Sequence, residues 1–334
     1  MKNIAICGVG RIGKFHLQSL LSLRACQVSG LFDINPEELD KLSRDFSVRQ
    51  YRSWEELIGD HVTEAVVIAT PSASHRQYCC TALEAGKHVF LEKPMAGTLE
   101  DATAIVQAAR RSSQIVQVGF CERFNVAYIE AKRAIKEGRI GSVRMIRSSR
   151  VAPYAYGSPD WELGVLDTAV HNFDLILWLL EELPATVVAK GAKVYDDSMG
   201  THACAIILSF ANGAMAVDSI AWVRQEKHPL SHCAQSQMFI QGSRGSLGID
   251  HSSRPAWVLD DHSFQNVDTV ILGGPEYYAC LKLQLDYFLA AIEGQVPPAV
   301  TVDEALNAEL VALAAFKSLK IGAEVTIDSQ SSLQ

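Results

Sequence analysis

No stretch of this 334-residue chain reaches the roughly 18 consecutive apolar residues that a membrane-spanning helix needs. The apolar opening over residues 4–9 is short and is followed at once by Arg11 and Lys14, which is not the shape of a secretory leader. A cytoplasmic location is expected. The chain also has no block of Lys or Arg, and 30 basic residues against 38 acidic ones give a formal net charge of -8. That balance sets aside nucleic acid and membrane surfaces as partners and leaves small-molecule chemistry. The eight cysteines (Cys7, Cys26, Cys79, Cys80, Cys121, Cys204, Cys233, Cys280) contain no Cys-x-x-Cys pair, so the thiols read as reduced. The nearest approach to a metal pattern, His228, His232 and Cys233, sits beside Pro229 and has no second ligand pair, so no metal is expected. Internal repeats and low-complexity tracts are missing too.

What is present is ordinary for a folded protein, with 48% hydrophobic and 20% charged residues, and the length outgrows a single core. Apolar runs over 3–7, 28–32, 65–69, 88–91 and 115–118 alternate with helical patterns over 12–23, 36–46, 54–58, 75–85 and 99–110. Continuous apolar strands separated by amphipathic helices predict a doubly wound parallel sheet, an α/β domain over residues 1–120. Asn35 followed by Pro36, Glu37 and Glu38 marks one helix start. Beyond residue 120 the texture changes. Longer alternating segments over 143–151, 187–194, 202–210 and 214–222, with Asn212-Gly213 as a hairpin turn, predict a mainly antiparallel sheet. Helices over 128–136, 168–180, 278–292 and 302–320 make residues 121–326 an α+β domain, and the polar residues 327–334 read as a flexible tail.

Gly8-Val9-Gly10-Arg11-Ile12-Gly13 has Gly-x-Gly-x-x-Gly spacing directly after the first strand and at the start of the first helix. The first glycine suits a tight turn, the second lets the backbone approach a pyrophosphate, and the third lets helix and strand pack closely. Asp33, at the end of the second strand and 20 residues beyond Gly13, stands where a carboxylate accepts the hydroxyls of an adenosine ribose. The same charge repels a 2′-phosphate, which favours NAD over NADP. The other reading is a structural turn with an incidental Asp33.

Two further segments lie at strand ends, Ala69-Thr70-Pro71-Ser72-Ala73-Ser74-His75 and Glu92-Lys93-Pro94, on the edge where open α/β sheets bind ligands. With Asp167-x3-His171-x2-Asp174 and the stretch Gly119-Phe120-Cys121-Glu122-Arg123-Phe124, these motifs resemble the glucose-fructose oxidoreductase/inositol dehydrogenase (Gfo/Idh/MocA) family over nearly the whole chain, most of all its inositol 2-dehydrogenase branch. The resemblance implies an NAD-binding Rossmann domain, a second domain that binds substrate and builds a homodimer or homotetramer, and hydride exchange with a polyol, cyclitol or sugar. It implies cofactor contacts from Gly8, Gly10, Arg11, Ile12, Gly13, Asp33, Thr70, Pro71, Ser72, His75, Glu92 and Lys93. Lys93, Asp167 and His171 would be catalytic, with Arg123 beside them at the substrate; Asn172 is a substrate candidate by composition and position alone. Ser72 stands where relatives commonly carry asparagine, and only Gly164 remains of a usual glycine pair before the later helix.

The chemistry suits these residue types. Moving a hydride off a carbinol carbon requires a base within reach of the hydroxyl proton. An imidazole titrates at about pH 6.5 when unperturbed, and a carboxylate four residues earlier on the same helix face can orient it. A lysine ammonium can hold the developing alkoxide. Asp167 and His171 also admit a plainer reading, a helix cap beside a structural histidine. Asn125, Tyr128, Tyr154, Tyr156 and Trp161 are further candidates for binding hydroxyls or stacking on a ring. Rival functions are a sugar-nucleotide or amino-sugar dehydrogenase, a glycosidase that uses NAD transiently, and a non-catalytic NAD-binding regulator.

Overall fold

The computed structural model describes residues 1–153, 163–195, 200–223, 235–250, 256–259, 264–267 and 275–327. The chain divides into two compact units, Met1–Cys121 with Tyr278–Leu306, and Glu122–Tyr277 with Asn307–Gln334.

The first unit opens with β1 (Lys2–Cys7), α1 (Arg11–Leu21), β2 (Cys26–Phe32), α2 (Pro36–Phe46), α3 (Trp54–Gly59), β3 (Ala65–Ile68), α4 (His75–Glu84), β4 (His88–Leu91), α5 (Leu99–Arg111) and β5 (Val116–Val118). The strands form a parallel sheet in the order β2-β1-β3-β4-β5. All four residues of β3 are fully buried, because helices cover both faces; that is why the strand is continuously apolar rather than alternating. The winding reverses between β1 and β3, which opens a crevice outside the carboxyl ends of these strands. At the β2 edge a single parallel bridge, Leu31 to Gln50, continues the sheet through Leu31 N–H to Arg49 O (2.9 Å) and Tyr51 N–H to Leu31 O (2.8 Å). The predicted start of α2 holds: Asn35 Oδ1 accepts from the backbone N–H groups of Glu37 and Glu38.

The second unit contains α6 (Val126–Lys136), β6 (Val143–Pro153), α7 (Leu166–Leu180), β7 (Thr186–Ala192), β8 (Ala203–Ser209), β9 (Met215–Val223), β10 (Gln235–Gly242), β11 (Ser246–Asp250), β12 (Ala256–Leu259) and β13 (Phe264–Val267). Two helices follow, α8 (Pro275–Ile292) and α9 (Val302–Ile321), then β14 (Val325–Thr326). Among the described residues nine strands pair in the order β13-β12-β11-β10-β6-β9-β8-β7-β14, antiparallel except for the central β6–β9 pair. The Asn212-Gly213 turn joins β8 to β9 as predicted, with Gly213 at φ +84° and Asn212 Oδ1 accepting from Ala214 N–H at 2.7 Å. One sheet face is buried where α7 packs on β6 and β9, and carries Ile146, Ile206, Leu208, Ile220 and Trp222. The sequence reading places no element between residues 223 and 277, yet β10–β13 lie there. They are four to eight residues long, and β10 and β11 carry Ser, Gly and Gln, so their alternation is too brief to register.

A contiguous second domain over 121–326 also misses a return of the chain. Leu285, Phe288 and Leu289 of α8 pack into the core formed by Ile4, Ile6, Leu17 and Phe90, with Phe288 edge-on to Phe90 at 5.7 Å. The apolar spacing of α8 predicts a helix but not whose core it completes.

Candidate active site

In the β1–α1 turn, Gly8 sits at φ +93°, and a Cβ there would lie 2.6 Å from Ala69 O. A Cβ on Gly13 would lie 1.9 Å from Gly8 O, so α1 comes this close to the turn only without a side chain. Gly10, the N-cap, has nothing within 4 Å of where a Cβ would project. No side-chain cap and no acidic first-turn residue offsets the positive end of α1. The residues therefore fit a pyrophosphate, which would take the backbone N–H groups the helix leaves over. Arg11 is exposed at the first helical position and Ile12 is half-buried behind it.

Asp33 closes this corner. Its Oδ2 accepts from Val9 N–H at 2.6 Å and its Oδ1 from Asn35 N–H at 2.8 Å, which ties the end of β2 to the glycine turn and leaves each oxygen a lone pair for a ribose hydroxyl. A hollow of about 650 Å³ begins at Asp33 and is lined by Phe32, Ile34, Leu39, Trp54 and Tyr78 among others.

Thr70, Pro71 and Ser72 follow β3, and Lys93 follows β4, so the structure gathers them with the glycine turn and Asp33 along the carboxyl edge of one sheet. Lys93 is half-buried there. His75 and Glu92 lie behind that edge. His75 is 1% exposed; its Nε2 lies 2.9 Å from Thr70 O and its Nδ1 3.0 Å from Pro94 O and 3.2 Å from Met95 O, so its ring clamps the two strand-end loops together. Burial holds the His75 imidazole below its ordinary value, against the opposing pull of these carbonyls and of Glu92. Glu92 Oε1 accepts from His16 Nε2 at 2.7 Å and its Oε2 from the Lys93 backbone N–H at 3.1 Å, which fastens the Lys93 segment to α1. Both side chains are spent within the fold, unlike the cofactor contacts expected of them, because the loops they join supply acceptors and donors that a linear sequence does not reveal.

In the second unit, Asp167 and His171 stand one turn apart on α7. Asp167 is buried, and His171 is the one residue of 163–177 with partial exposure. The N-cap of α7 is Val165, which makes no side-chain cap bond; Asp167 lies in the first turn, so it is not the capping residue. Arg123 and Asn172, expected at the substrate, are 6% and 1% exposed. Arg123 forms a two-point pair with Asp174 (Nε–Oδ2 2.9 Å, Nη2–Oδ1 2.6 Å), and Asn172 bridges Arg150 and Asp218. They brace α7. Asn125 caps α6 through Ala127 N–H at 3.0 Å, and Tyr128 is fully buried. Tyr154, Tyr156 and Trp161 lie outside the described residues, as do His228, His232 and Cys233.

Sequence reasoning missed Arg150, Asp218, Glu122 and His16. A signal existed for two of them: in β6 and β9, Arg150 and Asp218 lie an even number of residues from the inward Ile146 and Ile220, where a strand's period of two puts core.

A doubly wound sheet with an uncapped helix at its first turn and a carboxylate ending its second strand defines a dinucleotide-binding protein. Residues 2–120 match the oxidoreductase family described as having an NAD-binding Rossmann fold, and residues 128–248 match the Gfo/Idh/MocA C-terminal domain. The chain belongs to the Gfo/Idh/MocA family and is an NAD-dependent oxidoreductase. It is 26% identical over 326 residues to a myo-inositol 2-dehydrogenase from Thermotoga maritima, covering 95% of this chain and 96% of that one. It is 26% identical to a scyllo-inositol 2-dehydrogenase (NAD(+)) from Bacillus subtilis, over 97% and 96% of the two chains. A solved scyllo-inositol dehydrogenase from Lactobacillus casei, with NAD(H) and scyllo-inositol bound, shares the fold with a TM-score of 0.83 at 23% identity, over 98% and 99% of the two chains. Among the described residues no helix is long and apolar enough to cross a membrane.

Proposed function

We propose that the chain exchanges a hydride between NAD and a secondary alcohol of an inositol-like cyclitol, with the first compact unit holding the cofactor and the second the substrate. The observation that carries this reading is the buried Asp167 one turn before the half-exposed His171, in a chain that aligns end to end with two inositol dehydrogenases. NAD, when bound, supplies the hydride acceptor. His171 takes the hydroxyl proton, Asp167 orients the ring and stabilises its protonated form, and Lys93 holds the oxygen as charge develops on it. Gly8, Gly10, Arg11, Ile12 and Gly13 hold the pyrophosphate, Asp33 the adenosine ribose, and Thr70, Pro71 and Ser72 the cofactor's path toward Lys93. His75 and Glu92 position that path; Arg123 and Asn172 position the helix of His171.

The test is NADH absorbance on mixing the purified protein with NAD and either myo-inositol or scyllo-inositol. A cyclitol-dependent rise is expected, with NADP a poorer acceptor. Asp33→Ala should weaken NAD binding and narrow the preference, because the ribose hydroxyls lose their acceptor and a 2′-phosphate loses its repulsion. No rise with either inositol, or a preference for NADP in the parent protein, would count against the reading.

The sheet face opposite α7 supports a homodimer or homotetramer. It leaves Ile207 and Met215 40% and 38% exposed, with Arg147 lying 4.8 Å over the Phe239 ring, and closed symmetric assemblies bury such self-complementary surfaces. Sedimentation at micromolar concentration should report a multiple of 36.5 kDa, and a monomer would sink the proposal.

A further inference from the structure

Behind α7 the second unit holds a chain of buried polar side chains that no role given above requires to carry charge. Glu122 and Arg150 pair at two points (Nη1–Oε1 2.6 Å, Nη2–Oε2 2.7 Å). Arg150 Nε donates to Asn172 Oδ1 at 2.9 Å, and Asn172 Nδ2 donates to Asp218 Oδ1 at 2.7 Å. Ser148 Oγ donates to the same Asp218 oxygen at 2.6 Å. All five side chains are buried, Asp218 completely. The Asn172 amide is fixed in orientation, since its oxygen faces a guanidinium and its nitrogen a carboxyl.

Within this chain Arg150 is committed to Glu122, and the donors that reach Asp218 among the described residues, Ser148, Asn172 and the Ser219 backbone N–H, are neutral. The charged and titratable groups facing Asp218 are Arg150 from β6, Tyr128 from α6 and Cys204 from β8, with Glu122 behind Arg150. Burial pushes the Asp218 carboxyl up to about 6, against its hydrogen bonds and the Arg150 charge. An asparagine would satisfy Ser148 and Asn172, the two side chains that share Oδ1, without the cost of an enclosed charge. What distinguishes the aspartate is that it titrates.

We infer that Asp218 is a positioning residue for the reaction: at the end of the Glu122–Arg150–Asn172–Asp218 chain it takes up or releases a proton, and through Asn172 its state sets how firmly α7 holds Asp167 and His171. This inference rests on reading Asp167 and His171 as the acid/base pair. Ionised, Asp218 accepts a charge-assisted bond from Asn172, the stronger kind; protonated, it accepts an ordinary one. The helix is therefore held tightest above the Asp218 titration and loosened below it.

Asp218→Asn tests this, because it fixes the neutral form while keeping an acceptor for both donors. The first measurement needs no substrate. A carboxyl that ionises at higher pH in the folded chain than in the unfolded one, where the value is about 3.9, favours folding fully at low pH and loses that contribution as pH rises to the folded value. The Tm of Asp218→Asn minus that of the parent should therefore widen between about pH 4 and pH 6 and then level off. A gap that does not change with pH overturns the inference. The second measurement uses NAD and myo-inositol as probes. The parent's kcat/KM should fall on the acid side with a log slope of about 1 that steepens to about 1.5 where Asp218 titrates, one proton on His171 adding to the partial loss from Asp218, against a slope of about 1 throughout for Asp218→Asn. At about pH 8 the variant's kcat should be lower by about 10-fold, the excess of a charge-assisted bond over a neutral one, with NAD affinity unchanged. Identical slopes and kcat would overturn the positioning role. A parental rate in His171→Ala would overturn the acid/base reading instead, while the pH-dependent Tm gap stands or falls separately.

Discussion

Lys93→Met and His171→Ala are each expected to fold and bind NAD, yet to slow single-turnover hydride transfer from myo-inositol by about 10²-fold or more. The magnitude follows from what each side chain supplies. Without His171, the hydroxyl proton has no positioned acceptor as the hydride leaves, and water replaces an oriented base. Without the Lys93 ammonium, negative charge grows on the substrate oxygen with nothing fixed to meet it; methionine keeps the stem and its packing, so lost rate reports lost charge. Neither change touches the glycine turn or Asp33, so NAD affinity measured by titration should stay near that of the parent. Asp167→Asn keeps the shape of a buried side chain and removes its charge, so its loss should be smaller and should come with a displaced acid limb in the oxidation profile, because the imidazolium loses its counter-charge. Saturating substrate and a single turnover remove product release from the comparison. Transfer at the parental rate by His171→Ala would end its assignment as base even though the fold and cofactor stand.

The parts that sequence made legible are those written in local pattern. The parallel sheet announced itself because strands such as Ala65–Ile68 are covered on both faces and must be apolar throughout. Asp33 was legible because a fixed helix length separates the glycine turn from the end of β2. Asp167 and His171 were singled out by the family resemblance, and a spacing of four puts them on one helical face. Long-range pairing was not. Arg123 and Asn172 carry the groups that bind hydroxyls, and nothing within a few residues says that Asp174, Arg150 and Asp218 consume them. His75 looks like a ligand-facing residue beside Thr70-Pro71 until Pro94 and Met95, twenty positions on, turn out to hold its other nitrogen. The same holds for α8, whose apolar stripe completes a core built from the chain's first ninety residues.

Arg150→Met should destabilise the second unit by about 3–5 kcal/mol, the scale of stranding one member of a buried ion pair. Arg150 and Glu122 are each 3% exposed, and both carboxylate oxygens of Glu122 accept from the guanidinium. Burial by itself would lower the Arg150 guanidinium, but the Glu122 carboxylate beside it more than offsets this and holds it above its ordinary range. Each charge is thus what makes burial of the other tolerable. Methionine fills much of the space but leaves Glu122 enclosed with its counter-charge gone, and it also removes the donor that fixes Asn172 Oδ1. A fall in Tm of roughly 10 °C follows for a unit of this size. Two comparisons separate stranded charge from lost packing. Glu122→Gln combined with Arg150→Met removes both charges and should recover a large part of the loss, since replacing a whole buried pair costs far less than breaking one. Lowering the pH should also partly rescue Arg150→Met relative to the parent: a stranded Glu122 has its folded value raised above the unfolded one, so the charge part of the deficit is absent below the unfolded value and grows as pH climbs to the folded one. If the deficit is the same at about pH 4 and pH 8, or if the double variant is as unstable as the single, the buried pair is not what Arg150 contributes to the fold.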